Sequence, residues 1–351
     1  MFRTASVVIF TLASILGENA MAVTPEVVVP GSRCLAYVQG DYLYSSSFYE
    51  EYQGIEDSCF YFNKFNLVTR RNESGPWLSA DYNYDPYRLW IRADDQLFIK
   101  TDELFIIGND QLYRGPGAVR KLDLSMNHRD AEHFGLESLD VNANPAGDSS
   151  AIYWPVCKDL NATYKQFSIY RKSVADQQTS EVTSFLYQQD DGIRSCNNMA
   201  IDDNFVYWTS SRIQNASILT TFWRAPKLGG TPVIVRSDVD LKIKGRTLTF
   251  DDGYLYFVSL RGIFRMDVAG TQAPQLLIST GWSSDFIVYG DNIYIFGGGI
   301  LAMRKNGDSA MQLVLPRDVG PGPVGRPRNL MAGSRGLYWN ANDGIRHLPW
   351  P

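Results

Sequence analysis

Residues 206–226 read V-Y-W-T-S-S-R-I-Q-N-A-S-I-L-T-T-F-W-R-A-P. An aromatic pair, Tyr207-Trp208, is followed by an aromatic–arginine step, Phe222-Trp223-Arg224. Both pieces recur. Short β-type runs carrying Tyr or Phe are Tyr42-Leu43-Tyr44, Leu104-Phe105, Ile152-Tyr153-Trp154, Val206-Tyr207-Trp208, Leu255-Tyr256-Phe257, Ile293-Tyr294-Ile295 and Leu337-Tyr338-Trp339. Aligned on Tyr44, Phe105, Tyr153, Tyr207, Tyr256, Tyr294 and Tyr338, they stand roughly 40 to 60 residues apart, which suits a four-stranded repeat with variable loops.

A hydrophobic residue followed by Arg comes after each of the last six runs: Val119-Arg120, Tyr170-Arg171, Trp223-Arg224, Phe264-Arg265, Met303-Arg304 and Ile345-Arg346. In the compact copies this spacing predicts a hairpin, strand–turn–strand. The first repeat lacks the Arg and carries Phe60-Tyr61-Phe62 and Lys64 instead. A third strand follows in Val233-Ile234-Val235, Leu276-Leu277-Ile278 and Leu313-Val314-Leu315. A fourth precedes the aromatic in Met199-Ala200-Ile201, Leu248-Thr249-Phe250 and Phe286-Ile287-Val288. Between them lie Asp-Asp-Asn, Asp-Asp-Gly and Gly-Asp-Asn, residues that tolerate the positive φ of tight turns.

Seven such sheets around an axis make an all-β fold, a single β-propeller of four-stranded blades, with six or eight as the neighbouring counts. The last copy ends at Pro351, just past its third strand. Glu26-Val27-Val28-Val29 is expected to supply the missing fourth strand, closing the ring and covering the sheet edges.

Aromatics make up 13% of the 351 residues, with 29 Gly and 16 Pro for turns; flat, stiff side chains suit a pleated face better than a helix. The net charge of -5 is spread without the clustered Lys and Arg of a nucleic-acid surface. Arg3, the apolar run Ala5 to Leu16 and the small-x-small Ala20-Met21-Ala22 read as a signal peptide cut after Ala22. The run is too short to cross a bilayer, which takes about 20 residues, and no later stretch reads as a membrane span. The expected organisation is a signal peptide over 1–22 and one propeller domain over 23–351, in a periplasmic or secreted setting. In such a setting the even set Cys34, Cys59, Cys157 and Cys196 reads as two disulfides. Of the three pairings, Cys34–Cys59 with Cys157–Cys196 would close one loop inside each of two repeats.

Tyr207-Trp208-Thr209-Ser210 comes close to a Tyr-Trp-Thr-Asp signature, with Ser for Asp, while Tyr153-Trp154-Pro155 and Tyr338-Trp339-Asn340 share only the aromatic pair. In these runs the chain resembles the six-bladed propellers of the low-density-lipoprotein receptor type. Trp223-Arg224-Ala225-Pro226-Lys227 followed by Gly229-Gly230-Thr231-Pro232 resembles bacterial secreted repeats related to the TolB periplasmic group. The resemblance spans nearly all of the chain after Ala22 and is specific from about residue 150 onward. It implies a propeller outside the cytoplasm and no single activity, since propellers host many. The family's six blades depart from the seven counted here.

The repeated aromatics read as blade-to-blade packing, because a repeat buries its face only against its neighbours. The repeated Arg reads as a brace to a turn Asp (Asp203, Asp252 or Asp291) or to backbone carbonyls. Function is better sought where the repeat breaks. Between Arg71 and Arg92 stand Trp77, Tyr82, Tyr84, Tyr87 and Trp90 with Asp81 and Asp85; Tyr49 and Glu50 precede Cys59. Flat apolar faces beside carboxylates suit a sugar or a peptide. Trp77, Tyr82, Tyr84, Asp85, Tyr87, Trp90, Tyr49 and Glu50 are therefore the candidate binding residues, against the plainer reading that they fill the core of an irregular blade. The insertions Cys157 to Lys165 and Arg212 to Thr220 join the two central strands of successive repeats, so they share one face, a second candidate surface. Asn72-Glu73-Ser74, Asn161-Ala162-Thr163 and Asn215-Ala216-Ser217 fit the N-glycosylation pattern, which only a eukaryotic host would use.

Signals for catalysis are sparse. His128 and His133 do not share a helical face and have no third ligand near them, so no metal is expected. The chain carries no G-x-S-x-G, P-loop or G-x-G-x-x-G, and no cofactor is expected. The expected function is an exported, non-catalytic binding propeller, with no nucleic-acid partner. It would contact a protein or glycan, on the cell envelope or outside the cell, through loops on one face. The alternative is a carbohydrate-active enzyme, a glycoside hydrolase or lyase, with carboxylates at the channel mouth.

Overall fold

The computed structural model describes residues 25–30, 33–48, 59–77, 84–85, 91–93, 96–107, 111–114, 118–123, 132–133, 145–161, 163–188, 199–214, 217–241, 243, 248–279, 286–296, 299–316, 330–341 and 344–350. Among them the chain is all-β, in seven antiparallel sheets. Strand β1 (Glu26–Pro30) comes first. Sheet one holds β2 (Arg33–Gln39), β3 (Tyr42–Phe48), β4 (Cys59–Asn66) and β5 (Arg71–Trp77) in that order. Sheet two is built on the long β8 (Gln96–Ile107). Around it lie β6 (Tyr84–Asp85), β7 (Ile91–Ala93), β9 (Gln111–Arg114) and β10 (Ala118–Asp123), and β11 (Glu132–His133) pairs with β10.

Sheets three to six each run in chain order. They are β12 (Ala146–Gly147), β13 (Ala151–Asp159), β14 (Tyr164–Ser173) and β15 (Thr179–Gln188); β16 (Met199–Ile201), β17 (Phe205–Gln214), β18 (Ser217–Pro226) and β19 (Val233–Asp240); β20 (Thr249–Asp251), β21 (Tyr254–Ser259), β22 (Gly262–Asp267) and β23 (Gln275–Ile278); and β24 (Phe286–Tyr289), β25 (Asn292–Phe296), β26 (Gly299–Arg304) and β27 (Gln312–Pro316). In sheet seven, β28 (Met331–Gly333), β29 (Gly336–Ala341) and β30 (Gly344–Pro349) are followed by β1 as the outer strand.

Two glycines show that β1 stands where a chain-order fourth strand stands elsewhere. Gly262 opens β22 at φ +139, and a Cβ there would lie 1.9 Å from the Ile278 carbonyl oxygen of β23. Gly344 opens β30 at the same φ, and its Cβ would lie 2.0 Å from the Val29 carbonyl oxygen of β1. Only glycine tolerates so close an approach of the neighbouring backbone at positive φ.

Strand alternation explains the aromatic pair. Neighbouring residues of a strand face opposite ways, so Tyr207 and Trp208 serve two different seams. Trp208 packs with Tyr153, Phe167 and Ile169 of sheet three; Tyr207 packs with Leu255 and Phe257 of sheet five. The pattern repeats. Tyr256 meets Ile293 and Ile295, Tyr294 meets Leu337 and Trp339, and Tyr338 meets Val29, Val38 and Leu43. The aligned tyrosines Tyr44, Tyr153, Tyr207, Tyr256, Tyr294 and Tyr338 are all buried, as a packing role requires.

At Arg224 and Arg265 the repeated arginine reaches from its own hairpin to the next sheet. Arg224, paired with Tyr207, lies over the Phe205 ring and donates to the Val268 carbonyl of sheet five at 3.2 Å. Arg265, paired with Tyr256, lies over Tyr254 and donates to the Lys305 carbonyl of sheet six at 3.1 Å. Lysines brace in the opposite direction, and Lys305 offers both the carbonyl and an ammonium. Lys227 binds Asp148 of sheet three at 2.6 Å, and Lys305 binds Asp251 of sheet five at 2.7 Å. Of the two partners foreseen for the Arg, the backbone carbonyl is the one found at Arg224 and Arg265, and it belongs to the next sheet.

The register corrects two assignments. Arg304 and Arg346 follow the hydrophobic residue as the repeat requires, yet Ala302 stands opposite Tyr294 and His347 opposite Tyr338. A change of one or two residues in a hairpin connection moves every later pairing, so counting along the chain misplaced the brace in both sheets. In sheet one Lys64 stands opposite Tyr44.

Asp148 gives the brace a pH signature. Burial alone would push its carboxyl up, but the bonds from Lys227 and Ser150 together outweigh burial and hold its pKa below the usual carboxylate value. Stability from such a group is complete above the unfolded pKa and is lost as pH falls through the folded one. Lys227→Met is expected to cost about 1–2 kcal/mol at neutral pH, with the gap to wild type narrowing in acid as the carboxylate protonates. Urea unfolding at both pH values measures it, and an unchanged gap would show that the ion pair contributes nothing.

Candidate functional site

The two long hairpins are the inserted ones. β13 and β14 have 9 and 10 residues and β17 and β18 have 10 each, against 6 each in β21 and β22. The added length extends the tips at the β13–β14 and β17–β18 connections, on the same end of the sheets, as the insertions suggested.

In sheet three the extension carries a concave strip. The pairs Trp154↔Tyr170, Val156↔Ser168 and Lys158↔Gln166 put these six side chains on one face, opposite the face of Tyr153, Phe167 and Ile169 that packs on sheet four. The bulge between Ile169 and Tyr170 in the pairing with β15 brings Thr179 onto the same face. These residues line a cavity of about 170 Å³. Its floor is aromatic, with Trp154 and Tyr170 stacked at 5.8 Å and 28°. Its polar groups are the Lys158 ammonium, the Gln166 carboxamide and the Ser168 and Thr179 hydroxyls. At the tip end of the face stand the exposed Tyr164 and Leu186 (61%).

Trp154 is fully buried beneath the strip, so the half-buried Tyr170 is the ring that can meet a flat ligand, with donors and acceptors around it, the usual composition of a small-ligand site. A cavity this size holds one ring-sized group. The repeat supplied the signal for it in outline: the Cys157 to Lys165 insertion marked the hairpin, but which residues share a face depends on register. Trp154, read in the sequence as half of a scaffold pair, is fully buried as that role requires, and lies beneath this strip.

Tyr49, Glu50, Tyr82, Tyr87 and Trp90 lie outside the described residues, as do residues 1–24, Cys196, His128 and most of 78–90. Trp77 ends β5, and Tyr84 and Asp85 form β6, paired with Glu103 and Asp102 of β8. Cys34 and Cys59 lie in β2 and β4, at one end of sheet one on either side of β3.

A second set of groups gathers where β1 meets the rest. Arg70 donates to both carboxylate oxygens of Glu26 at 2.7 Å, and His347 lies 3.3 Å from Glu26 Oε1 and stacks on Tyr338 at 4.5 Å. The Arg70 hydrogen bond chiefly holds the Glu26 carboxyl below its usual value. Burial pushes the Tyr338 phenol up to about 12. The group ties the first strand to sheets seven and one, a structural role.

No protein-family model matches the chain, and no curated protein matches it significantly. Solved structures do. A prolyl endopeptidase aligns over 90% of this chain at 11% identity and a TM-score of 0.55; the chain spans 46% of that protein's length. The β-propeller domain of the trilobed protease from Pyrococcus furiosus, described as having an open velcro topology, aligns over 90% of this chain and 94% of its own at 6% identity and a TM-score of 0.54. The extracellular domain of a candidate one-component system from B. thetaiotaomicron aligns over 92% of this chain and 39% of its own at 9% identity and a TM-score of 0.51. At such identities the likeness concerns the fold, and the chain accordingly has the fold of a β-propeller.

Proposed function

We propose that this chain is an exported seven-bladed propeller, closed by β1, that binds a glycan or a protein through the end of the disc bearing the long hairpins. Closure is supported by the pairing of β1 with β30 and by the equivalence of Gly344 with Gly262. Export is supported by the leader-like start, and by Cys157 being a disulfide-bonded cysteine; the proposed pairs are Cys157–Cys196 and Cys34–Cys59. Kinship with the low-density-lipoprotein-receptor type or with TolB-like propellers belongs to the same proposal and rests on the repeat residues.

The observation that carries the binding reading is the sheet-three strip. Tyr170, backed by the buried Trp154, offers a ring to stack on, and Lys158, Gln166, Ser168 and Thr179 offer hydrogen bonds around it. Among the described residues none that lines it is a carboxylate, whereas hydrolysis of a glycosidic bond by the usual route takes a pair of them. The arrangement therefore suits holding a sugar ring better than cleaving one.

Screening the secreted form against a glycan array and a panel of envelope proteins tests the proposal. A ligand bound at micromolar level is expected, with affinity falling at least about tenfold in Lys158→Ala/Gln166→Ala. Both side chains sit at the extended end of the hairpin, so the melting temperature should hold. Turnover of a bound saccharide would favour the enzyme alternative. Binding untouched by the double change would move the site off this strip.

A further inference from the structure

Among the described residues the seam between sheets six and seven lacks its brace. At the two preceding seams an arginine reaches the next sheet: Arg224 the Val268 carbonyl and Arg265 the Lys305 carbonyl. The residue in their register in sheet six is Ala302. The residue that matches Val268 and Lys305 in sheet seven is Trp350. Its N–H bonds the Arg335 carbonyl, as the N–H of Val268 bonds Gly253 and that of Lys305 bonds Asp291. A methyl group cannot span the gap that an arginine spans, and a cavity of about 340 Å³ opens there, lined by Ala302 and Trp350.

This volume lies within the size of small-molecule sites, about 300–1,000 Å³. Its wall is divided by chemistry. Leu337, Leu348 and the Trp350 indole, itself packed on Tyr289 and Tyr294 at 5.5 and 5.4 Å, make an apolar side. Arg304 and Tyr294 make a polar side. The Arg304 guanidinium has no anionic partner among the described residues. The Tyr294 oxygen accepts from Asn292 Nδ2 at 3.3 Å, leaving its own proton for another acceptor. A guanidinium and a phenolic O–H beside a greasy wall complement one kind of ligand: an apolar body ending in a carboxylate.

We propose that this unbraced seam is a binding site for a small apolar carboxylate, separate from the sheet-three strip and independent of what that strip binds. The carboxylate takes Arg304 and the Tyr294 hydroxyl, and the body lies against Trp350 and Leu348, where the missing arginine would otherwise run.

Phenylacetate and its neutral isostere phenylacetamide are suitable probes for ligand-observed NMR and calorimetry on the intact protein. Phenylacetate is expected to bind with a Kd below about 1 mM, and the amide at least about tenfold more weakly. Arg304→Gln, an exposed change, should erase that preference. Ala302→Arg should remove binding of both probes by filling the seam. Three results overturn the proposal: no binding of the acid up to about 10 mM, equal affinity for acid and amide in the wild type, or an Arg304→Gln protein that keeps the preference. If Ala302→Arg does not fold, the Arg304→Gln comparison decides alone.

Discussion

Val29→Asp is expected to lower folding stability by about 3–5 kcal/mol, and Val27→Asp to stay within about 0.5 kcal/mol of wild type. The two residues share one short strand, far in sequence from β30 with which it pairs. Val29 is 4% exposed and packs with Val38, Leu43, Phe65, Tyr338 and Ile345, whereas Val27 is 41% exposed and stands beside Arg346. A carboxylate at position 29 would be buried without a partner among apolar side chains, and at position 27 it would meet water and a cation. Reversible urea unfolding of the two variants measures the difference. Equal and small effects would mean that β1 does not hold the last sheet to the first, and the closure proposal would fall with them.

Trp208→Ala is expected to cost about 3–5 kcal/mol. Its ring is almost fully buried and stacks on Phe167 at 5.6 Å, on Trp223 at 6.3 Å and on Phe185 at 6.5 Å, a ladder that joins sheets three and four. Removing it opens a cavity that neighbours on two braced sheets cannot collapse to fill. The effect should be sub-additive with Trp223→Ala, whose ring lies in the same ladder. It should be additive with Phe257→Ala, which belongs to the next seam. Double-mutant unfolding curves measure both. A Trp208→Ala protein as stable as wild type but deficient in ligand binding would instead make the aromatic pair part of a site.

These two changes also show which parts of the molecule are legible without coordinates. The repeat announced itself in Tyr207-Trp208 and its copies, because every sheet must bury both faces and strand alternation turns that need into adjacent aromatics. Turn chemistry then marked the hairpins, and the Glu26 to Val29 run, unclaimed by the repeat, pairs with β30. The second sheet was less readable. Leu104-Phe105 reads as one short run, while the structure has a 12-residue strand, β8, with partners along both parts of its length. Weak periodicity in that stretch offers no count of strands.

For the candidate site, the order reverses. Sequence marked the Cys157 to Lys165 insertion as a place where the repeat departs, and the extended hairpin is there. It gave no hint that Trp154, Lys158, Gln166 and Tyr170 share a face, since that follows from the antiparallel register of β13 and β14 and from a bulge in the pairing with β15.

What the chain's residues determine alone is therefore the unit: an alternating aromatic strand, its hairpin partner and the tight turns between them. Local pattern encodes these because each is a matter of strand period and turn conformation. Only the tertiary structure decides what stands between units. The brace runs from Arg224 and Arg265 to carbonyls of the following sheet, Lys227 and Lys305 reach back to the preceding one, and Ala302 leaves one seam open. Those contacts join residues tens of positions apart, and a one-residue change in register moves each of them, so no spacing along the chain can specify them.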